Sequence, residues 1–325
     1  MDKPPISLQR VAVVGAGGFV GGHLVARLSA NGAQVAGVSL EPPPARTASA
    51  DWLACDLRQD TDRLAGFLKR FRPDAIVLLA ATSFEPLSAS QPWLVLQNNL
   101  LSALNTLTAC RGLADAPLVV ITSSSAVYGR QSSDACPLTE SRPLHPLTTY
   151  GVSKLAVEAL ALQHCRAFGL RGILVRPFNV TGPGEHASFV TSAFARQIAM
   201  IEAGRQEPVI RVGDLETVRD FTDVRDVAGA LVSLAEYGEP GEVYNLCSGV
   251  GVKIADLVRR LLEATPVPIA VRVDPALMRS VEIDVQWGDS TRLRRATGWA
   301  PRYGLDQTLA DVLDDWRIRI QRQEA

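Results

Sequence analysis

The sequence predicts an α/β fold: a doubly wound parallel sheet followed by a smaller C-terminal α/β substrate lobe. Three observations carry this. Short apolar runs alternate with helical patterns from Arg10 to Arg176, the mark of βαβ units with right-handed crossovers. The first run enters a glycine-rich turn, Gly15-Ala-Gly-Gly-Phe-Val-Gly21, which suits a strand-to-helix connection that must be tight. After Pro177 the alternation loosens, so residues beyond it are expected to form a separate, less regular lobe.

The elements follow in order. Val11–Val14 is a continuous apolar run, as expected of a strand covered on both faces, and a helix follows from Gly22 to Ala30, stopped by Asn31-Gly32. Further strands are predicted at 35–39, 75–80, 118–123 and 172–176, with helices at 64–71, 94–110 and 150–168. Beyond Pro177, helices are expected at 189–203, 226–237, 254–264 and 305–319, and strands at 209–212 and 243–246. Residues 8–178 are assigned to the first lobe, with about 221–247 returning to it, and 179–325 to the second.

The composition narrows the function classes. With 325 residues, 47% hydrophobic and 21% charged, the chain is ordinary globular protein. Lys plus Arg is 33 against 34 Asp plus Glu, so no basic surplus points to nucleic acid or an anionic membrane. No long apolar run predicts a membrane span. Five scattered cysteines without a CxxC pair fit reduced thiols in the cytoplasm better than a disulfide framework, and neither they nor the four histidines have metal-ligand spacing.

Gly15, Gly18, Phe19, Val20 and Gly21 form a G-x-x-G-x-x-G turn between a strand and a helix. Such a turn lets a pyrophosphate approach the backbone and meet free N–H groups at the positive end of the helix dipole. A dinucleotide cofactor is therefore expected. An NAD site usually has an acid at the end of the second strand, but here Ser39 stands there and Glu41 comes two residues later. Absence of the acid removes repulsion against a 2′-phosphate, which favours NADP, with NAD as the alternative. Arg46 is a candidate phosphate partner, and Asp56-Leu57 a candidate adenine contact.

Tyr150 and Lys154 lie one helical turn apart and share a face. A free tyrosine titrates near about 10; a neighbouring ammonium and a nicotinamide charge lower that, making the phenol a usable acid or base. The fourth strand ends in Thr122-Ser-Ser-Ser125, at the edge where parallel sheets bind ligands. A serine there can hold a substrate oxygen beside Tyr150.

Together these motifs resemble the extended short-chain dehydrogenase/reductase family. Leu79-Ala80-Ala81, Asn99 and Arg176-Pro177-Phe178-Asn179 add to a resemblance that runs from about residue 10 to 316. It implies a Rossmann-type cofactor lobe and a nucleotide-sugar lobe. By position it makes Ser124, four residues before Tyr128, the family's Ser/Thr, Tyr150 the proton donor or acceptor, and Lys154 the partner of the nicotinamide ribose. It also adds Ala80, Ala81, Asn99 and Pro177 to the cofactor site.

The segments 179–184, 189–198, 208–216 and 219–227 are similar to those of GDP-4-keto-6-deoxy-D-mannose reductases and, less closely, GDP-mannose 4,6-dehydratases. The implied substrate is a nucleoside-diphosphate sugar, GDP-linked as the best guess. Its diphosphate calls for arginine: Arg219, Arg279 and Arg196 are the candidates, with Asn179, Ser124 and Ser125 near the sugar. Asp220, Asp223 and Asp226 read as structural, capping the next helix or holding Arg219; His145 and His186 read as solvated loop residues. Ser125-Ala126-Val127 lacks the carboxylate a dehydratase needs after the Ser/Thr. The expected activity is an NADP-dependent reductase of a nucleotide-linked 4-keto-6-deoxyhexose. A 4-epimerase with tightly held NAD and a non-catalytic NADP-binding regulator are the alternatives. The resemblance also implies a homodimer through helices 94–110 and 150–168, whose leucines exceed what one sheet face needs.

Overall fold

The computed structural model describes residues 5–42, 51–83, 85–278 and 283–322. In chain order its elements begin with β1 (Arg10–Val14), α1 (Phe19–Ala30), β2 (Gln34–Ser39), β3 (Asp51–Ala54), α2 (Thr61–Phe71), β4 (Ala75–Leu78), α3 (Glu85–Ser90), α4 (Pro92–Cys110) and β5 (Leu118–Thr122). Then come α5 (Thr149–Phe168), β6 (Arg171–Pro177), β7 (Asn179–Thr181), α6 (Val190–Glu202), β8 (Val209–Val212), β9 (Val218–Asp223), α7 (Val224–Tyr237) and β10 (Val243–Leu246). The chain ends with β11 (Gly251–Lys253), α8 (Ile254–Glu263), β12 (Ala270–Val273), β13 (Val285–Gln286), α9 (Thr291–Thr297) and α10 (Leu305–Gln321).

Seven strands form one parallel sheet in the order β10-β6-β5-β4-β1-β2-β3. This is a Rossmann-type sheet whose strand order reverses between β1 and β4, where a ligand crevice opens at the C-terminal strand ends. Alternate residues of β1 serve opposite faces. Val11 and Val13 join Leu24, Leu28, Leu231 and Leu234 under α1 and α7, whereas Ala12 and Val14 join Leu64, Leu68, Leu107 and Val157 under α2, α4 and α5. Both faces are covered, hence the unbroken apolar strands.

The second lobe holds a four-stranded sheet of β7, β9, β11 and β13, a parallel β8–β12 pair, and a core of Phe194, Ile198, Leu257, Leu261, Leu313 and Trp316 between α6, α8 and α10. Phe178 alone separates β6 from β7, which pairs with β9, and β9 runs directly into α7. The first exit from the first lobe and the return into α7 therefore lie side by side.

The structure differs from the sequence reading in particulars. β3 was not predicted: it is a short edge strand with partly exposed residues, too brief for a periodicity signal. Phe221–Asp223 complete β9, and α7 follows at once from Val224. Leu293 of α9 and Trp299 pack into the first lobe's core, although they follow the substrate-lobe strands in sequence. The third predicted strand stops at Leu78, because Leu79 and Ala80 both turn their N–H groups to the Val14 carbonyl.

Candidate active site

The glycine turn closes on itself. Gly15 has φ +98°, and a Cβ on it would lie 2.7 Å from the Ala80 nitrogen, so the turn after β1 is pressed against the segment after β4. A Cβ on Gly21 would strike the Gly15 carbonyl oxygen. Gly18 caps α1 with no side chain, and the first turn of α1 contains no acid. Phe19 and Val20 thus open the helix with backbone N–H groups facing a bare turn, a cradle that fits a pyrophosphate. Ser39 ends β2 with its hydroxyl donating to the Glu41 carbonyl, and a Cβ on Gly17 would lie 3.3 Å from it. Asp56 is committed locally: Arg58 Nε donates to its two oxygens at 2.9 and 3.0 Å, which holds the carboxyl below its usual range. The neighbouring Leu57 is buried. Arg46 lies outside the described residues.

Ser124 follows β5 and begins a short 3₁₀ turn, its Oγ accepting from the Ala126 N–H at 3.2 Å. α5 starts against this turn. Thr148 caps it by accepting from the Gly151 N–H at 3.1 Å, and a Cβ on Gly151 would lie 2.7 Å from the Ala126 carbonyl oxygen. That close approach brings Tyr150 beside the serine turn. Tyr150 is half-buried, and its N–H donates to Ser88 Oγ at 3.0 Å. One turn on, Lys154 is 4% exposed and donates from Nζ to the Thr122 carbonyl at 2.8 Å. Burial pulls its ammonium down to about 8, partly countered by Glu158.

Asn99 is buried on α4, and its amide is used within the protein: Oδ1 accepts from the Thr82 N–H at 2.7 Å, while Nδ2 donates to Ser153 Oγ at 2.8 Å. It ties the segment containing Ala80 and Ala81 to α5. Pro177 ends β6 on the same edge of the sheet.

The substrate candidates divide. Ser125 is buried, and its Oγ donates to Gln286 Oε1 at 3.3 Å while Gln286 Nε2 donates to the Ser125 carbonyl at 3.3 Å. Gln286 is in register with Arg219 on β9, so Arg219 lies one strand away from the serine turn; its Nη1 donates to the Val218 carbonyl at 2.9 Å. Asn179 donates from Nδ2 to the Asp220 carbonyl at 3.0 Å. Arg196 is placed on α6 with its guanidinium 5.9 Å from the centre of a Trp316 ring, at the α6–α10 contact. Arg279 lies outside the described residues.

A model of the NAD dependent epimerase/dehydratase family matches residues 11–247, well over half of the chain. The chain belongs to that family. It is 39% identical over 315 residues to the GDP-6-deoxy-D-mannose reductase of Pseudomonas aeruginosa, covering 97% of this chain and 99% of that one. Among solved structures, RMD from Pseudomonas aeruginosa complexed with NADPH superposes with a TM-score of 0.85 at 38% identity, covering 96% of this chain and 99% of that one. The UDP-glucose 4-epimerase of Thermus thermophilus in complex with NAD gives 0.84 at 28% identity, covering 95% and 99%. The protein is thus an enzyme of the extended short-chain dehydrogenase/reductase type that uses an NAD(P) cofactor.

Several buried contacts of this family member escaped the sequence reading. Arg176 is 4% exposed and donates from Nε and Nη2 to the two carboxylate oxygens of Glu158, each at 2.8 Å. Its Nη1 reaches Tyr128 Oη at 3.0 Å, and that hydroxyl donates to Asn245 Oδ1 at 2.7 Å. A charge on the buried face of α5, where Glu158 falls one turn after Lys154, was the available signal. Asp220, Asp223 and Asp226 are structural. Asp223 caps the next helix, α7, and holds Arg225. Asp220 is 0% exposed and accepts from Ser248, Gly249 and Gly288, and Asp226 accepts from the Arg302 and Tyr303 N–H groups. Among the described residues no cluster suits a metal ion.

Proposed function

We propose that this enzyme is an NADP-dependent reductase of a GDP-linked 4-keto-6-deoxyhexose. The observation that carries the reading is that the turn holding Ser124 abuts the start of α5, which bears Tyr150 and buried Lys154, at the sheet edge that also bears the glycine turn. The near full-length similarity to a GDP-6-deoxy-D-mannose reductase supports the sugar and the base. Ser39 at the end of β2, in place of an acid, supports NADP.

The cofactor's part is delivery of a hydride to the keto carbon. Ser124 Oγ–H donates to the keto oxygen and places it beside Tyr150. Tyr150 Oη–H gives its proton to that oxygen as the C–O bond becomes single. Lys154 holds the nicotinamide ribose and lowers the cost of leaving Tyr150 ionised. Arg219 and Arg279 pair with the diphosphate, with Asn179 and Ser125 ordering the sugar pocket. Ala126 and Val127 offer no acid–base group at the sugar's C5 and C6, which supports reduction over dehydration.

The test is NADPH consumption with GDP-4-keto-6-deoxymannose as substrate. Protein purified with NAD that never leaves, and no net NADPH oxidation, would favour a 4-epimerase instead. A cytosolic location is part of the same reading, resting on five free cysteines and on the absence, among the described residues, of a helix able to cross a membrane. So is a homodimer formed through α4 and α5. Leu107 and Val157 of these helices face the sheet core, whereas Leu100, Leu101, Leu104, Ala156, Ala159 and Leu160 line an apolar groove between the two helices.

A further inference from the structure

We infer that Glu158, clamped by Arg176, is a positioning residue that keeps Lys154 protonated inside the protein. Lys154, Glu158 and Arg176 are 4%, 3% and 4% exposed, and Glu158 bonds to Arg176 and interacts electrostatically with Lys154, so the three ionisable groups are neighbours in the interior. Glu158 follows Lys154 by one helical turn, the spacing at which side chains on a helix are neighbours. The two 2.8 Å bonds from Arg176 fix the carboxylate in place, so it cannot swing away from the lysine.

The other groups around Lys154 do not substitute for it. On α5 the other titratable neighbour is Tyr150. From β6 the charge is Arg176, a cation that opposes the ammonium. From the serine turn comes Tyr128, whose phenol burial pushes up to about 12, leaving it neutral. α4 presents the uncharged Asn99, and β5 presents the Thr122 carbonyl. The carboxylate of Glu140 is turned to the Asn245 N–H at 2.9 Å, with Arg292 at 3.8 Å. Glu158 is the anion that acts on Lys154, opposing the burial that lowers its pKa; the balance of the two is about 8.

The sign follows from charge balance. With Glu158 ionised the site holds two cations and one anion. Neutralising Glu158 leaves two buried cations without compensation. Arginine does not release its proton in proteins, so the lysine does. Removing Arg176 instead takes away a repelling cation and leaves the carboxylate to Lys154 alone.

The chain contains four lysines, Lys3, Lys69, Lys154 and Lys253, so lysine-selective ¹³Cε labelling gives a sparse NMR spectrum in which Lys154→Arg identifies the signal. The titration is read in the cofactor-free protein, independent of any activity. E158Q should move the Lys154 midpoint down by about one pH unit or more, E158D should leave it near wild type, and R176Q should move it up. An unchanged midpoint in E158Q overturns the inference, as do shifts of the same sign in E158Q and R176Q; if E158Q does not fold, the R176Q shift decides. The inference joins the proposed reaction only through Lys154 as the ribose contact. NADPH affinity measured against pH tests that link: it should weaken at lower pH in E158Q than in wild type. Affinity indifferent to the lysine's ionisation, beside intact NMR shifts, would remove Lys154 from the cofactor site and leave the role of Glu158 standing.

Discussion

Tyr150→Phe removes one oxygen from a half-buried ring whose backbone N–H, not its hydroxyl, makes the contact to Ser88. The variant should fold and bind NADPH normally while turnover falls by about 10²–10⁴-fold, the usual worth of a general acid. Steady-state assays of the purified variant check this, and wild-type-like turnover would remove Tyr150 from the mechanism. Arg219 is placed on β9, one strand from the serine turn and remote from the glycine turn. Arg219→Ala should weaken nucleotide-sugar binding by about 2 kcal/mol, the low end for a desolvated charged contact because the residue is only half-buried. That corresponds to roughly 30-fold. NADPH affinity should change by less than about threefold, since sites without shared contacts behave independently. Parallel titration of both ligands separates these outcomes, and equal losses would make Arg219 a fold-stabilising residue.

At the scale of elements, the glycine turn and the β7–α6 connection make opposite demands on the chain. Gly21→Ala has no room beside the Gly15 carbonyl, so it should lower thermal stability and cofactor affinity together. A Cβ on Gly18 would meet the Gly15 carbonyl oxygen at an ordinary 3.4 Å; Gly18→Ala should therefore keep its melting temperature and lose NADPH affinity alone, as seen by comparing thermal melts with cofactor titrations. In the β7–α6 connection, Glu185 is 3% exposed, and its Oε2 lies 3.0 Å from Thr181 Oγ1 and 2.6 Å from Thr191 Oγ1. The two hydroxyls also lie 2.7 Å apart. Three such contacts need three protons, and two hydroxyls supply two; the third comes from a protonated carboxyl. Burial accordingly raises Glu185 to about 7 from 4.5. The native state then holds a proton that the unfolded chain has lost, so stability declines as pH rises from about 4.5 through 7. At most this amounts to about 3 kcal/mol. Glu185→Gln should raise the melting temperature by a few degrees at pH 8 and leave it nearly unchanged at pH 4.

For the whole molecule, the α4–α5 face is one that a second copy could cover. Trp93 and Val152, on α4 and α5, are 69% and 46% exposed, next to the groove of Leu101, Leu104 and Leu160. Burial of that face against its twofold copy would form a four-helix bundle. Wild-type protein should run as a dimer by light scattering at micromolar concentration, and Leu104→Glu should run as a monomer that still binds NADPH. A monomeric wild type would rule the bundle out. Within one chain the lobes are joined by both kinds of contact: Gln286 grips Ser125, and Leu293 and Trp299 pack into the first lobe's core.

By itself the sequence determined the sheet apart from β3, its glycine turn and the candidates for the reacting residues. Those features are local: an apolar run of four residues, a G-x-x-G-x-x-G turn, or a Tyr and Lys one helical turn apart, each with its physics contained in a short span. What only the tertiary structure decided depends on partners far apart in the chain. Nothing near Glu158 in sequence announces Arg176 as its clamp, and Gln286 meets Ser125 across 161 positions. Asp223 turned out to hold Arg225 because it caps α7, and Arg196 came to rest near Trp316 because α6 packs on α10. The short strands β3, β7, β11 and β13 are set by pairing rather than propensity, since a strand of two to four residues gains stability only from the neighbour it adds to. A buried charge can be read from sequence as an anomaly on an apolar face. Its partner is fixed by where the fold brings a second charge, because in the interior only a paired charge is tolerated.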